Sequence, residues 1–132
     1  MSWFSADFSA WPLQQARFIQ QLQHWSLRDL KRPAALRMLA VDWSHLSRHQ
    51  ARFSAWRRDF AHLVECRQLA QRQAQGLEEM LWTPQAALYA HTTTWMSGEW
   101  VRSPTRLKAL LLRFEQAWQQ ATPAFPATTL GL

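Results

Sequence analysis

Residues 33–82 read PAALRMLAVDWSHLSRHQARFSAWRRDFAHLVECRQLAQRQAQGLEEMLW, and the fold prediction depends on them. After Pro33 the stretch contains no proline and a single glycine, Gly76. It is rich in Ala, Leu, Arg, Gln and Glu, which lose little free energy on entering a helix. Its apolar residues recur mostly at steps of three and four, as on one helix face. They are Leu36, Leu39, Trp43, Leu46, Phe53, Trp56, Phe60, Leu63, Ala70, Ala74, Leu77 and Leu81. The pattern predicts one amphipathic helix, roughly 70 Å long at about 1.5 Å per residue, with a break near residues 44–48 as the alternative.

Proline and its preceding residues divide the rest of the chain. Pro12, Thr83 with Pro84, and Ser103 with Pro104 each fit a helix start. They predict further helices near residues 12–30, 84–96 and 104–121, and no segment alternates as an exposed strand does. The predicted fold is therefore all-α, a bundle of about four helices with coiled-coil packing along the long central one. We expect an aromatic N-terminal arm at 1–11, a single helical domain at 12–121 and an extended, proline-containing tail at 122–132.

The positive charge is concentrated in the middle of the chain. The net charge is +6, and thirteen of the fifteen basic residues are arginine. Between Arg28 and Arg72 there are ten basic and four acidic residues, which accounts for the whole excess. Such a stretch is either a solvated helix face or a surface that binds nucleic acid or another anion. The candidate anion-binding residues surround Trp56 and are Arg48, Arg52, Arg57 and Arg58.

Tryptophan is unusually frequent, with nine residues in a chain of 132. A small bundle seldom hides that many large rings, so some of them are expected to face a partner. The candidate partner-binding or surface-binding residues are Trp3, Phe4, Phe8, Trp11, Trp43 and Trp56. For the N-terminal aromatics the alternative is packing onto the bundle, and the sequence favours this slightly over an anchoring role.

Residue patterns typical of catalysis are absent from the sequence. The three glycines are scattered, so they form no phosphate-binding loop, and no pair of cysteines could hold zinc. His45 and His49 share a helical spacing with Asp42 nearby, but a third ligand at diagnostic spacing is missing. The sequence therefore predicts no catalytic residues, no metal and no cofactor, hence a protein that is not an enzyme and has no small-molecule substrate. The single cysteine, Cys66, favours a reducing compartment, and no signal peptide or membrane-spanning run is found. We expect a cytoplasmic protein, with attachment to a granule or membrane surface as a further option.

The segment around residues 60–120 resembles the phasins, amphipathic helical proteins that coat polyhydroxyalkanoate granules. The resemblance rests on the Gln- and Ala-rich residues 68–81 and on the break that follows them. The break consists of Thr83, Pro84, Gln85, Ala86, Ala87 and Leu88. Two features depart from phasins, the many tryptophans and the alanine at position 86, where an acid is common. The resemblance implies a helix, a break and a second helix on an apolar granule, and it implies no catalytic residues.

Two functions of different classes follow from these patterns. The first is a non-catalytic helical protein that binds an apolar granule, a lipid surface or partner helices. The second is a nucleic-acid-binding or nucleoid-associated protein that uses the arginine-rich stretch. A self-assembling adaptor with a protein client is a third option without its own residue signature. We also expect self-association, because three short helices could not cover the whole stripe of a rod-like helix.

Overall fold

The computed structural model describes residues 1–28, 32–92 and 94–126. Within this part of the chain, a seven-stranded mixed sheet packs against helices on both faces. The strands are β1 (Ser2–Ser5), β2 (Leu36–Ala40), β3 (Val64–Gln68), β4 (Met80–Trp82), β5 (Ala87–Ala90), β6 (Gly98–Val101) and β7 (Thr122–Pro123). The helices are α1 (Ala16–Arg28), α2 (Ser44–His49), α3 (Ala51–Asp59) and α4 (Pro104–Gln120), with short 3₁₀ turns at Ala61–Leu63 and Gln71–Ala74.

The order of the strands places β1 at the centre of the sheet. Across the sheet the order is β6-β5-β4-β1-β2-β3-β7. β1, β2 and β3 are mutually parallel, while β4, β5, β6 and β7 each join by antiparallel pairing. Helix α1 connects β1 to β2, and helices α2 and α3 connect β2 to β3. Residues 1–11 thus contribute the middle strand of the domain instead of lying outside it as an arm.

The prediction of an all-α bundle with a coiled coil around one long helix is wrong. Residues 33–82 contain strands β2, β3 and β4 with two short helices between them. Strand β2 consists of Leu, Arg, Met, Leu and Ala, all good helix formers. It is covered on both faces, however, so burial and pairing with two neighbours outweigh its helix propensity.

The predicted helix at residues 84–96 is also wrong, because Thr83 and Pro84 open a hairpin turn. The Thr83 amide donates to the Ala86 carbonyl at 2.8 Å, and the Thr83 hydroxyl accepts from the Ala86 amide at 3.1 Å. These bonds close the turn between β4 and β5, which then pair in antiparallel register. A threonine before proline can close a turn as well as cap a helix, since both uses need a side-chain oxygen facing a backbone amide.

The last predicted helix is confirmed. It begins at Pro104, with the Ser103 hydroxyl accepting from the Arg106 amide at 3.5 Å as an N-cap. The first predicted helix exists, but its predicted start at Pro12 is wrong. It runs over Ala16–Arg28, and Pro12 lies in a turn in which its carbonyl accepts from the Gln15 amide at 3.2 Å. Its predicted end at residues 29–30 lies outside the described residues. In the predicted tail, residues 122–123 pair with β3, and residues 127–132 lie outside the described part of the chain. Among the described residues, no helix is both long enough and apolar enough to cross a bilayer.

The two faces of the sheet have separate apolar cores. On one face, Trp3 and Met38 pack among residues of α1 and α3 that include Phe53 and Trp56. These two helices also contact each other, since the Trp56 indole N–H donates to the hydroxyl of Ser26 at 3.0 Å. The opposite core is made by α4 against the sheet and contains Phe4, Leu39, Met80, Phe114 and Trp118. The protein is thus a three-layer α/β structure.

Arg37 fastens β2 to α4, and this contact predicts a pH dependence of stability. Its guanidinium donates to both carboxylate oxygens of Glu115, at 2.6 and 3.0 Å, and lies 5.0 Å from the Phe114 ring centroid. The hydrogen bond from Arg37 holds the pKa of Glu115 below its usual value of 4.5. A carboxyl with a lowered folded-state pKa stabilises the fold above its unfolded-state pKa. That contribution is lost as the pH falls through the folded-state value.

We therefore expect Arg37→Gln to lower the melting temperature near neutral pH, by an amount equivalent to about 1 kcal/mol for a partly exposed pair. The difference from the wild type should shrink below pH 4.5. Thermal unfolding followed by circular dichroism between pH 2 and 7 measures this. Glu115→Gln serves as the second variant and should reproduce the effect. Parallel pH profiles for wild type and Arg37→Gln would contradict the assignment.

Candidate functional site

A cleft lies at the carboxyl edge of the parallel strands, where α/β sheets commonly bind ligands. Strands β1, β2 and β3 end at this edge, and the antiparallel β4 begins there. The cleft has a volume of about 210 Å³ and is formed by the loops that follow β1, β2, β3 and β5 together with the residues before β4. Its polar lining residues are Gln71, Glu78, Glu79, His91 and Thr92.

Glu79 is the most buried polar group of the cleft, with 4% of its surface exposed. One carboxylate oxygen accepts from the Ser5 hydroxyl at 2.6 Å and from the indole N–H of Trp11 at 3.0 Å. The other accepts from the Ala6 amide at 2.7 Å. Three donors from the end of β1 and the following loop therefore converge on one carboxylate next to β4. This arrangement assigns Glu79 to holding the fold together, because both carboxylate oxygens already accept hydrogen bonds from the chain.

The remaining charged groups of the cleft form a partly exposed pair. A carboxylate oxygen of Glu78 lies 3.6 Å from Nδ1 of His91, and the ring of His91 stands edge-on to Tyr89 at 5.6 Å. The pKa of the Tyr89 hydroxyl is raised, mainly by burial and to a smaller extent by a hydrogen bond with Glu78. No group of three or more His, Cys, Asp or Glu side chains could hold a metal ion in the described ranges. A histidine–carboxylate pair without an adjacent nucleophile falls short of a catalytic constellation.

A second candidate site is the half of the sheet that the helices leave uncovered. Trp3, Leu81, Leu88 and Trp100 are successive partners across β1, β4, β5 and β6, so they form one row on one face. Trp3 is 1% exposed beneath α1, whereas Leu88 is 37% and Trp100 52% exposed. We call the face of β4, β5 and β6 that carries Leu81, Leu88 and Trp100 the open face. The opposite face of these strands is covered, because Leu107 of α4 packs with residues of β5 and β6.

A groove of about 300 Å³ borders the open face. Its lining is apolar and comprises Ala10, Trp11, Pro12, Phe18, Leu81, Leu88 and Trp95. Trp95 closes one side with its ring edge-on to Trp11 at 5.8 Å. Its backbone has a φ of +61°, a conformation that costs a bulky residue about 1–3 kcal/mol. Its indole N–H is buried without a hydrogen-bond partner. Backbone strain and an unused side-chain donor at the same residue are features typical of a binding site.

The aromatic residues predicted to bind a surface are all buried. They are Trp3, Phe4, Phe8, Trp11, Trp43 and Trp56. A three-layer fold has two cores, and these cores accommodate more large rings than a small bundle could. Trp11 alone among the six also lines the groove. The exposed aromatic of the open face is Trp100, which the sequence did not single out. The row of Leu81, Leu88 and Trp100 can be recognised only once the register of the strands is known.

The four predicted anion-binding arginines divide into two groups. Arg48, Arg52 and Arg58 are exposed on α2 and α3, and Arg52 donates to the Gln14 carbonyl at 2.9 Å. Arg57 points inward and is only 7% exposed. The rings of His45 and His49 lie 4.9 Å apart, as their spacing predicts.

Comparisons with known proteins found no matching family, no similar curated protein and no similar solved structure. The phasin resemblance therefore stays a prediction. The resemblance implies a helix, a break and a second helix. Instead, residues 68–81 contain a 3₁₀ turn and the start of strand β4, and residues 83–88 form the hairpin turn that leads into β5.

Proposed function

We propose that this chain is a non-catalytic interaction domain that binds an amphipathic helix of an acidic partner protein on its open face. The observation that carries the proposal is the uncovered apolar row Leu81–Leu88–Trp100 with the groove beside it. Isolated apolar residues on a surface need no explanation, but a contiguous row beside an apolar groove is typical of a docking surface.

The width of the open face suits a helix. Three strands spaced about 4.8 Å apart span about 10 Å, which matches the 10–12 Å diameter of an α-helix. In a three-layer fold each face of the sheet is normally covered by helices, but on this face Leu88 of β5 and Trp100 of β6 are exposed. A partner helix would therefore complete the layer that α1 and α3 begin.

Charge favours an acidic partner over a second copy of this chain. The guanidinium of Arg102 lies 5.5 Å from the Trp100 ring centroid at one end of the open face. Arg17 is exposed next to Phe18, which lines the groove. Two copies would each bring a net charge of +6, whereas acidic residues beside an apolar stripe would complement both arginines. Self-association stays a prediction, and its original reason, a long uncovered rod, no longer applies.

A designed helical peptide tests the proposal. The probe carries leucine at positions i, i+3, i+4 and i+7 with glutamate on both flanks. We expect it to shift the NMR signals of the Leu81 and Leu88 methyl groups and of the Trp95 and Trp100 indole N–H groups. Leu88→Asp should weaken binding at least about tenfold, because it places a charge in the centre of an apolar contact.

The control is Leu112→Asp, which changes an exposed leucine on α4 and should leave binding unchanged. Peptides with lysine flanks, or with glutamine in place of leucine, should bind more weakly. Shifts confined to other surfaces, or equal effects of the two substitutions, would refute the proposal. A dimer in sedimentation that Leu88→Asp dissociates would assign the open face to a second copy. Binding to lipid vesicles or apolar granules, but not to the peptide, would favour the phasin-like function.

Nucleic-acid binding by Arg48, Arg52 and Arg58 remains the alternative. If these exposed residues contact phosphates, their joint replacement by glutamine should remove DNA binding, and binding should weaken steeply between about 50 and 200 mM salt. Peptide binding on the open face should depend far less on salt, because apolar burial dominates it.

A further inference from the structure

Arg57 is a buried cation whose charge no acid among the described residues neutralises. It lies in the last turn of α3, with 7% of its surface exposed. Its Nη1 donates to the Ala61 carbonyl at 3.1 Å, and its Nε has no hydrogen-bond partner. Within residues 1–28, 32–92 and 94–126, no ion pair includes Arg57.

The groups nearest to Arg57 do not supply the missing negative charge. Its side chain forms a hydrogen bond with the Cys66 thiol, but burial raises the pKa of that thiol to about 12 despite the attraction of Arg57. The thiol is therefore protonated and neutral at pH 7. Glu65 lies next to Cys66 on β3, yet its carboxylate is bonded to Arg67 at 3.2 Å. A buried charge without a counter-ion is unfavourable, so an anion from outside the chain would be attracted to this position.

A cavity gives such an anion access to Arg57. It has a volume of about 400 Å³, opens to solvent, and lies at the edge of the sheet where β3 meets β7. Besides Arg57, Glu65 and Cys66, it is lined by Val64, Pro123, Ala124 and Pro126. These four residues form an apolar wall, and the two prolines contribute no backbone N–H. A volume of this size suits a small ligand with an apolar body.

We propose that this cavity, the Arg57 pocket, binds a small organic anion whose carboxylate or phosphate group is held by the guanidinium of Arg57. The guanidinium presents donors in a planar fork that matches two oxygens of either group. The apolar body of the ligand packs against Val64 and the two prolines. The pocket is separate from the open face, since it lies at the opposite edge of the sheet.

Benzoate and phenyl phosphate are suitable probes, with benzamide as the uncharged analogue of benzoate. At constant ionic strength, benzoate should raise the melting temperature of the wild-type chain, because a ligand that binds only the folded state stabilises it. Phenyl phosphate should act in the same direction, and benzamide should have no effect. Arg57→Gln should raise the dissociation constant for benzoate at least about tenfold, whereas Arg58→Gln should leave it unchanged. Arg58 is the matched control because it is the adjacent arginine and is exposed.

A measurement on the wild type keeps the test valid if Arg57→Gln fails to fold. The Nε–H signal of Arg57 in a ¹H–¹⁵N spectrum should move on addition of benzoate and stay fixed on addition of benzamide. Both anions are added up to about 20 mM, which covers millimolar dissociation constants. If neither benzoate nor phenyl phosphate changes the melting temperature or this signal of the wild type, the proposal is overturned. Equal losses in Arg57→Gln and Arg58→Gln also overturn it, because they indicate general attraction to a basic surface.

Discussion

Trp3→Ala is expected to destabilise the protein by about 3–5 kcal/mol, a large part of the 5–15 kcal/mol that typically holds a domain folded. The indole is 1% exposed and lies in the central strand. Its ring centroid is 5.3 Å from that of Trp11, 6.2 Å from Phe18 and 6.4 Å from Phe53. The change removes the contacts that the Trp3 ring makes with α1 and α3. It leaves a cavity of the size of an indole ring, which the surrounding residues would not fill completely. Urea unfolding followed by far-UV circular dichroism measures the loss.

Trp100→Ala is the matched control, because it removes the same side chain from the same face of the sheet. Trp100 lies three strands away from Trp3 in the same row and is 52% exposed. Its replacement should change the free energy of unfolding by about 0.5 kcal/mol or less. Similar losses for both variants would mean that the open face is covered in the free protein, which would contradict both the fold and the proposed docking surface.

The central strands could not be recognised from the sequence. Strand β2 has the composition of a helix, and its apolar residues Leu36 and Leu39 stand three apart, as in a helix. A parallel strand that is covered on both faces lacks the alternation that marks an exposed strand, because its side chains on both faces must be apolar. Four of its five residues are buried, Met38 and Ala40 among them. A short apolar run of this kind fits a buried strand and a buried helix equally well.

The two Ser/Thr-Pro signals gave opposite outcomes for a physical reason. Ser103 with Pro104 starts a real helix, since a regular stripe including Leu107 and Phe114 follows and can be buried against the sheet. After Thr83 with Pro84 no such stripe follows, and the next residues pair with β4 across the turn. The local signal places a break in the chain in both cases, but the residues beyond it decide between a helix and a hairpin.

The candidate sites depended on burial, which the sequence does not reveal. Arg57 and Arg58 are neighbours with the same side chain, yet one is buried beside a cavity and the other is exposed. One step along α3 turns a side chain by about 100°, so the two arginines point in different directions. Anion binding by the arginine-rich stretch stays a prediction, and the burial of Arg57 could not be derived from counting charges.

Glu79→Ala is expected to destabilise the protein by about 3 kcal/mol, because it strips the acceptor from three donors at once. The Ser5 hydroxyl, the Ala6 amide and the Trp11 indole N–H would lose partners at 2.6, 2.7 and 3.0 Å. All three belong to the end of β1 or the loop after it, so their release should also loosen the wall of the cleft and of the groove at Trp11. Glu79→Gln keeps one acceptor oxygen but turns an amide N–H₂ toward a donor. This variant should lose about 1 kcal/mol of unfolding free energy.

The adjacent Glu78 provides the control for this prediction. Its side chain is partly exposed and contacts His91 and the Tyr89 hydroxyl, so Glu78→Ala should cost less than about 1 kcal/mol. Chemical denaturation of the three variants, with hydrogen exchange at the Ala6 amide as a local probe, separates global from local effects. The Ala6 amide should exchange much faster in Glu79→Ala and at the wild-type rate in Glu78→Ala. If Glu79→Ala proved as stable as the wild type or more stable, the carboxylate would not be structural. It would then be a group kept in the cleft at a cost in stability, which is the behaviour of residues retained for binding or chemistry.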